Sequence, residues 1–294
     1  MGAEGRRAKA RLDVLLVEQG LAESRERARA LILAGRVQVE GRRADKPGTP
    51  VAADARVEVE APLPFVSRGG VKLRAALEAF GVRPAGRVVL DVGASTGGFT
   101  DCLLQAGAAR VYAVDVGFGQ LDRRLRNDPR VVPLERTNIR HLTRDALTPA
   151  PDLGTIDASF ISLTLILPVV AGLLDPPGEV VALVKPQFEV GKGQVGKGGV
   201  VRDPAKHRAV LLRIGGAARA ARFDPRGVMG SPLLGPKGNR EFLVHLIQGP
   251  TRHDAGGRAS DVHGPDENAG GWAEMVEACL AAAAADEASR ERGA

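Results

Sequence analysis

The chain has 294 residues, with 41 lysines and arginines against 35 aspartates and glutamates, a net charge of +6. That length suits one large and one small domain, and no apolar run approaches the roughly 18 residues of a membrane-spanning helix. Two cysteines, Cys102 and Cys279, give neither a disulfide framework nor a zinc site, and a charged N-terminus without an apolar signal core predicts a reducing, cytoplasmic setting.

The charge is uneven. Residues 252–294 carry 4 basic and 9 acidic residues, leaving 37 and 26 in the residues before them. A basic body with an acidic tail predicts a polyanionic partner.

Residues 1–10 read as a flexible basic N-terminus. From Arg11 to Gln19, Leu12, Leu15 and Leu16 fall at helical spacing, and Gly20 stops the helix. Ser24 caps a second helix with Ala28, Leu31 and Ile32 on one face and Gly35 at its end. Arg25 and Arg29, four apart, share another face. Val37 to Glu40 alternates as a strand, Gly41-Arg42-Arg43 turns it, and Arg56 to Glu60 alternates again. Residues 11–60 thus form a small module of two helices and a hairpin. Its arginines can grip phosphates and read RNA shape. Glu23 and Glu26 among them leave a solvated charged face as the alternative.

Residues 61–66 form a stiff Pro-rich linker. The larger domain spans 67–251. Ser67-Arg68-Gly69-Gly70-Val71-Lys72-Leu73 opens a helix with Leu73, Ala76, Leu77 and Phe80 on one side. The strand Arg87 to Leu90 then runs into Asp91-Val92-Gly93-Ala94-Ser95-Thr96-Gly97-Gly98-Phe99-Thr100, a glycine loop followed by a helix. The spacing G-x-x-x-G-G after an acid departs from the G-x-G-x-x-G of dinucleotide proteins. It suits S-adenosylmethionine, which has no pyrophosphate, with Asp91 binding the methionine ammonium directly or through water. An ordinary strand-to-helix turn reads the same way.

The strand Arg110 to Asp115 ends in an acid placed to accept ribose hydroxyls. Strands follow at 131–134, 153–157 and 180–186, with Asn138 placed for an adenine and a helix over 163–174. After the glycine-rich stretch 191–199 come a helix from Pro204, a weak strand at 226–229 and a strong one at 240–247. Alternating strands and helices predict a mainly parallel sheet with ligands at its carboxyl edge. Asp91, Asp115, Asp157 and Lys185 all stand at strand ends. Residues 252–294 read as a flexible acidic tail in which Trp272 to Ala285 is helix-forming. His253 and His263 have no third ligand at metal spacing, so no metal is expected.

Residue types narrow the chemistry. Neither cysteine is placed for methylation at a pyrimidine carbon. Asp157-Ala158-Ser159-Phe160 lacks the prolines of amine methyltransferases. A ribose hydroxyl needs a base or cation nearby. Lys185 fits, with Lys72 as a like charge favouring the neutral amine and Asp157 and Glu241 holding both ammonium groups.

Arg11-Leu12-Asp13, Ser24-Arg25, Ala28-Arg29, Ile32, Gly35-Arg36-Val37 and Val39 together resemble the S4 domain, an RNA-binding module. The Ser67–Leu73 and Asp91–Asp101 motifs, Asp157-Ala158-Ser159-Phe160-Ile161-Ser162, Lys185-Pro186-Gln187-Phe188-Glu189 and Gly238-Asn239-Arg240-Glu241-Phe242 resemble the TlyA (haemolysin A) family over residues 11–249. That family pairs S4 with an FtsJ-like ribosomal RNA 2′-O-methyltransferase. The resemblance implies a class I α/β fold with a seven-stranded sheet, S-adenosylmethionine as cofactor and cytidine ribose in ribosomal RNA as substrate. It also implies effects on sensitivity to peptide antibiotics such as capreomycin. The family tetrad falls on Lys72, Asp157, Lys185 and Glu241, and Ala158 stands where a valine is common. Cofactor contacts are expected from Asp91, Gly93, Ser95, Gly97, Gly98, Phe99, Asp115 and Asn138. RNA contacts are expected from Arg11, Arg25, Arg29, Arg36, Arg42 and Arg68, with no membrane or DNA partner. The competing readings are a pore-forming haemolysin and a non-catalytic RNA-binding assembly factor.

Overall fold

In a computed structural model the described residues are 9–33, 35–59, 63–191, 193–249 and 267–292, with side chains of the last stretch described over 271–287. Expectations for residues 1–8, 61–62 and 252–266, including His253 and His263, lie outside them. The chain divides into two compact units, Met1–Leu63 and Pro64–Ala294.

In the first unit β1 (Lys9–Arg11) leads into α1 (Leu12–Glu18) and α2 (Arg25–Leu33). The Ser24 hydroxyl accepts the Arg27 N–H at 3.1 Å, capping α2 as its residue type predicts. Leu12, Leu15 and Leu16 of α1 pack with Ala28, Leu31 and Ile32 of α2, and Val37 and Val57 close the core from the strands. β2 (Val37–Val39), β3 (Arg42–Ala44) and β5 (Val57–Val59) form an antiparallel sheet, while β4 (Pro50–Ala52) pairs with β1. The hairpin closes earlier than the alternation predicts. Glu40 and Gly41, with φ of 49° and 71°, make the two-residue turn, so Arg42 and Arg43 lie in a strand.

The second unit carries α3 (Arg68–Phe80), β6 (Val88–Val92), α4 (Gly98–Gln105), β7 (Arg110–Val114), α5 (Arg123–Arg126), β8 (Val131–Leu134), β9 (Leu153–Ile156), α6 (Leu163–Leu173), β10 (Glu179–Val184), α7 (Pro186–Glu189), α8 (Pro204–Ala220), β11 (Phe223–Gly230), β12 (Phe242–Gln248) and α9 (Glu267–Arg292). Seven strands form one sheet in the order β11-β12-β10-β9-β6-β7-β8. β12 runs antiparallel to both neighbours, and the pairs β10–β9, β9–β6, β6–β7 and β7–β8 are parallel. This is the expected mixed sheet with its last strand reversed. The strand order turns back between β6 and β9, which opens a crevice at their carboxyl ends.

Phe65 is buried against Gly70, and the Val66 N–H donates to Asp101 at 2.8 Å. The end of the expected linker therefore packs as part of the second unit. The expected flexible tail needs a larger correction. α9 lays Trp272, Val276, Cys279 and Ala283 in buried positions, with Trp272 and Val276 in the core that α8 and β11 share. The Trp272 Nε1–H donates to the Leu211 carbonyl at 3.1 Å, and Gly215 leaves the space its indole fills. Composition made this stretch look acidic and loose. Its apolar residues at helical spacing have a face to bury only once the edge of the sheet exists.

Candidate active site

At the carboxyl edge the ends of β6, β7 and β9 frame a cleft of about 720 Å³. Gly93, Ser95, Asp115 and Asn138 line it, as expected, together with Asp157 and the loop after it. Gly93 sits at φ +85°, and a Cβ there would meet the Asp157 carbonyl at 2.7 Å, so only glycine lets the two strand ends meet. Asp115 is fixed by its own loop. One oxygen accepts the Ser95 N–H at 2.8 Å and the other the Gly117 N–H at 2.7 Å. Each oxygen keeps a lone pair for a further donor. The Asn138 side chain caps the turn after β8 by accepting the Arg140 N–H at 3.1 Å.

Gly97, Gly98 and Phe99, also expected at the cofactor, have packing roles in the structure. A Cβ on Gly97 would lie 2.3 Å from Leu125, and one on Gly98 would lie 2.1 Å from the Ser67 hydroxyl. These glycines let α4 approach α5 and α3, and Phe99 is a core side chain, 3% exposed. Asp91 is absent from the lining. It is fully buried, accepting the Thr100 hydroxyl at 2.7 Å and the Thr155 hydroxyl at 2.9 Å. Each oxygen holds one hydroxyl beneath the loop, so in this geometry the carboxylate braces the loop.

Burial pushes the Asp91 carboxyl up to about 7, against the pull of the two threonine hydroxyls. Its folded value lies above its unfolded one, so between about pH 4 and pH 7 the native state holds a proton that the unfolded chain has released. Stability from this group is complete below that window and declines as pH rises through it. Asp91→Asn should remove the decline. Urea midpoints should coincide with wild type near pH 4 and exceed it at pH 8, and parallel profiles would assign the pH dependence elsewhere.

The expected tetrad resolves into two ion pairs. Lys72 Nζ lies 2.5 Å from Glu241 Oε2, with side-chain exposures of 8% and 0%. Lys185 Nζ lies 2.6 Å from Asp157 Oδ1. It also donates to the Ser159 hydroxyl at 2.9 Å and the Asp157 carbonyl at 3.3 Å. Strand ends explain the placement. Asp157 follows β9, Lys185 follows β10, and Glu241 precedes the reversed β12, whose Phe242 pairs with Val184. Lys72 comes from α3. A Cβ on Gly69, one turn before it, would lie 3.7 Å from Asp157 Oδ2, so the start of α3 reaches the second pair. Each lysine thus has its own carboxylate, and the four charges sum to zero.

The residues after Asp157 complete the wall. Phe160 is 90% exposed with φ +64°, a left-handed backbone that costs a non-glycine residue about 1 kcal/mol or more. Its ring meets Phe188 of α7 at 4.9 Å between centroids. Sequence reasoning placed Ser159 and Phe160 inside a motif but assigned them no role. Thr137, Arg140 and Gln120 in the cleft had no signal at all.

Among the arginines expected to meet RNA, Arg11 and Arg25 share a partner. Arg11 makes two bonds of 3.0 Å to Asp13, and Arg25 makes one of 3.1 Å. The Arg11 hydrogen bond holds the Asp13 carboxyl down at about 2 despite its burial. Both guanidinium groups remain more than half exposed, at 54% and 60%. Arg29, Arg42 and Arg68 are exposed, and Arg36 is half-buried.

The FtsJ-like methyltransferase family matches residues 65–248, and the S4 domain matches residues 10–57. The 16S/23S rRNA (cytidine-2′-O)-methyltransferase TlyA of Mycobacterium tuberculosis is 51% identical over 81% of this chain and 90% of its own. The chain belongs to the TlyA family of FtsJ-like methyltransferases. Hemolysin A of Brachyspira hyodysenteriae is 40% identical over 81% of this chain and 99% of its own. A solved structure of a Streptococcus thermophilus protein that carries a provisional hemolysin name superposes with a TM-score of 0.69 at 41% identity, covering 96% of this chain and 99% of that one. Among the described residues, no helix is long and apolar enough to cross a membrane.

As a TlyA-family member the chain is a methyltransferase that uses S-adenosylmethionine, and its S4 domain makes RNA the substrate class. The cleft fits that cofactor. Its volume lies in the range of small-molecule sites, Asp115 has acceptor capacity for ribose hydroxyls, and Val116, Ile139, Leu165 and Ile166 offer apolar walls to a base. Asp115→Ala should weaken S-adenosylmethionine binding at least about tenfold, because it removes charge-assisted hydrogen bonds and frees two loop amides. Unchanged affinity by calorimetry would move the ribose site elsewhere.

Proposed function

We propose that this chain methylates the 2′-hydroxyl of a cytidine in ribosomal RNA, acting in the cytoplasm on ribosomal subunits, with the first unit supplying RNA affinity. The observation that carries the reading is the pair of lysine–carboxylate contacts at the sheet edge beside the cofactor cleft. Such a set suits an oxygen nucleophile that must lose a proton as it attacks. Cys102 suits no carbon methylation: it is 3% exposed, and burial pushes its thiol up to about 12. The names carried by the TlyA relatives agree with this substrate.

S-adenosylmethionine supplies an electrophilic methyl group and departs as a neutral thioether. The demand therefore falls on the nucleophile. The O–H bond of the ribose breaks while its oxygen forms a bond to carbon. In the resting geometry the Lys185 ammonium pairs with the Asp157 carboxylate at 2.6 Å and donates to the Ser159 hydroxyl and the Asp157 carbonyl. That cation stabilises the developing alkoxide oxygen. The hydroxyl proton passes to Lys185 once a proton has moved from it to Asp157, or leaves directly to Asp157. Lys72 and Glu241 hold the start of α3 against β12 and complete the edge.

Purified small and large ribosomal subunits lacking the modification, incubated with the protein and methyl-labelled S-adenosylmethionine, test the reading. Label should appear on a cytidine ribose after nuclease digestion. Label on a base, or none on either subunit, would overturn it.

A further inference from the structure

We infer that Glu189 is a positioning residue that sets the geometry of the Asp157–Lys185 pair by clamping the loop between β9 and α6. Glu189 ends α7, four residues after Lys185, and is 5% exposed. One carboxylate oxygen accepts the Leu163 N–H at 2.8 Å, and the other accepts the Ser162 hydroxyl at 2.7 Å. The Arg213 guanidinium of α8 lies 3.5 Å from that second oxygen and also donates to the Glu189 carbonyl. The carboxylate thus caps the eleven-residue helix α6 from outside, where charge and helix dipole agree.

The loop it holds, Asp157 to Ser162, contributes every one of its residues to the cleft lining. Its front end is tied by the Asp157 N–H donating to Val92 at 2.8 Å and by Lys185. Its middle rests on Phe188 through Phe160. Its back end is held by Glu189. All three grips on this loop from the β10 side come from one short segment, Lys185 to Glu189. That segment measures out the loop, so Lys185 meets Asp157 and Ser159 only while Glu189 holds the far end. The loop also touches the cofactor turn, where the Asp157 carbonyl closes over Gly93. Neither Glu189 nor Ser162 belongs to the tetrad, and no other role is assigned to them.

The inference rests on the methyltransferase reading, and the experiment separates the two. If wild type transfers no methyl group to RNA, that reading fails. With wild type active, the inference is decided by Glu189→Leu and Glu189→Gln. Glutamine can accept from Leu163 with its oxygen and donate to the Ser162 hydroxyl with its nitrogen, so it keeps the clamp without the charge. Glu189→Leu should lower kcat at least tenfold, raise the S-adenosylmethionine Kd two- to fivefold and leave the KM for RNA within twofold. Amide hydrogen exchange over residues 157–163 should quicken while the rest of the sheet stays protected. Glu189→Gln should stay within threefold of wild type in kcat. Wild-type kcat in a folded Glu189→Leu protein, unchanged exchange over the loop, or Glu189→Gln as damaged as Glu189→Leu would each overturn the inference. If Glu189→Leu does not fold, Ser162→Ala decides, since it removes one of the two bonds along with the cap on the Thr164 N–H: reduced kcat with quicker exchange over residues 157–163 supports the clamp, and wild-type kcat overturns it.

Discussion

Lys185→Ala should lower kcat for methyl transfer by roughly 10²–10⁴-fold, the usual range for losing a proton-transfer or charge-stabilising group at the reacting atom. Affinity for S-adenosylmethionine and for RNA should stay near wild type, because the main contribution of Lys185 is made in the transition state. Its neighbours make the substitution local. Ser159 and Asp157 lose a donor, and Asp157, 24% exposed, can take water in its place. Lys185→Arg sharpens the assignment. A guanidinium can keep the ion pair with Asp157, but it does not release its proton. If Lys185 passes protons, the arginine variant should be nearly as slow as the alanine one. Near-normal turnover in Lys185→Arg would leave a fixed cation as its whole role and place the proton on Asp157. Single-turnover kinetics with saturating RNA make the comparison without interference from product release.

The second large effect is on stability. Lys72 and Glu241 form the most buried ion pair at the site, and removing either partner leaves an uncompensated charge out of water. Lys72→Ala and Glu241→Ala should each cost about 3–5 kcal/mol, lowering the melting temperature by roughly 10 °C in a unit of this size. The Glu241 Oε1 atom, buried without a hydrogen-bond donor, already shows how little solvent reaches this carboxylate. Replacing both partners, as Lys72→Met with Glu241→Leu, should restore most of the melting temperature, since apolar groups of similar volume carry no desolvation penalty. Methyl transfer should not return with it. A double variant that is stable and fully active would reduce the pair to a structural contact and leave Asp157 and Lys185 as the working residues.

The same pair marks the boundary between what could be read in the chain and what could not. Lys72 and Glu241 stand 169 residues apart. Motifs brought both to the sheet edge, yet only the antiparallel entry of β12 beside β10 decides which carboxylate each lysine meets. Asp91 shows the limit more sharply. As the acid at the end of the first strand of the large sheet it reads as a ligand for a cofactor ammonium. The threonines at positions 100 and 155, 9 and 64 residues away, close over it and give it a bracing role that the strand end alone does not show. Gly97 and Gly98 belong to the same lesson: helices pack close at both, a requirement for glycine that the motif does not reveal. Phe160 and Glu189 carried no periodicity at all, since their roles depend on a left-handed turn and on a helix end brought from another element.

Local pattern determined the rest. Alternating and continuous apolar runs placed each strand of the large sheet to within a few residues, because burial on one or both faces dictates the spacing of apolar side chains before any partner is chosen. Ser24, Ser67 and Asp203 cap the helices expected to begin beside them. The family motifs, the cofactor class and the two-unit division follow from residues a few positions apart. Pairing, burial and orientation are long-range: the hairpin closing at Glu40, the four charges sorting into two pairs, and α9 seating Trp272 beside Gly215 each depend on surfaces that exist only after the sheet has formed.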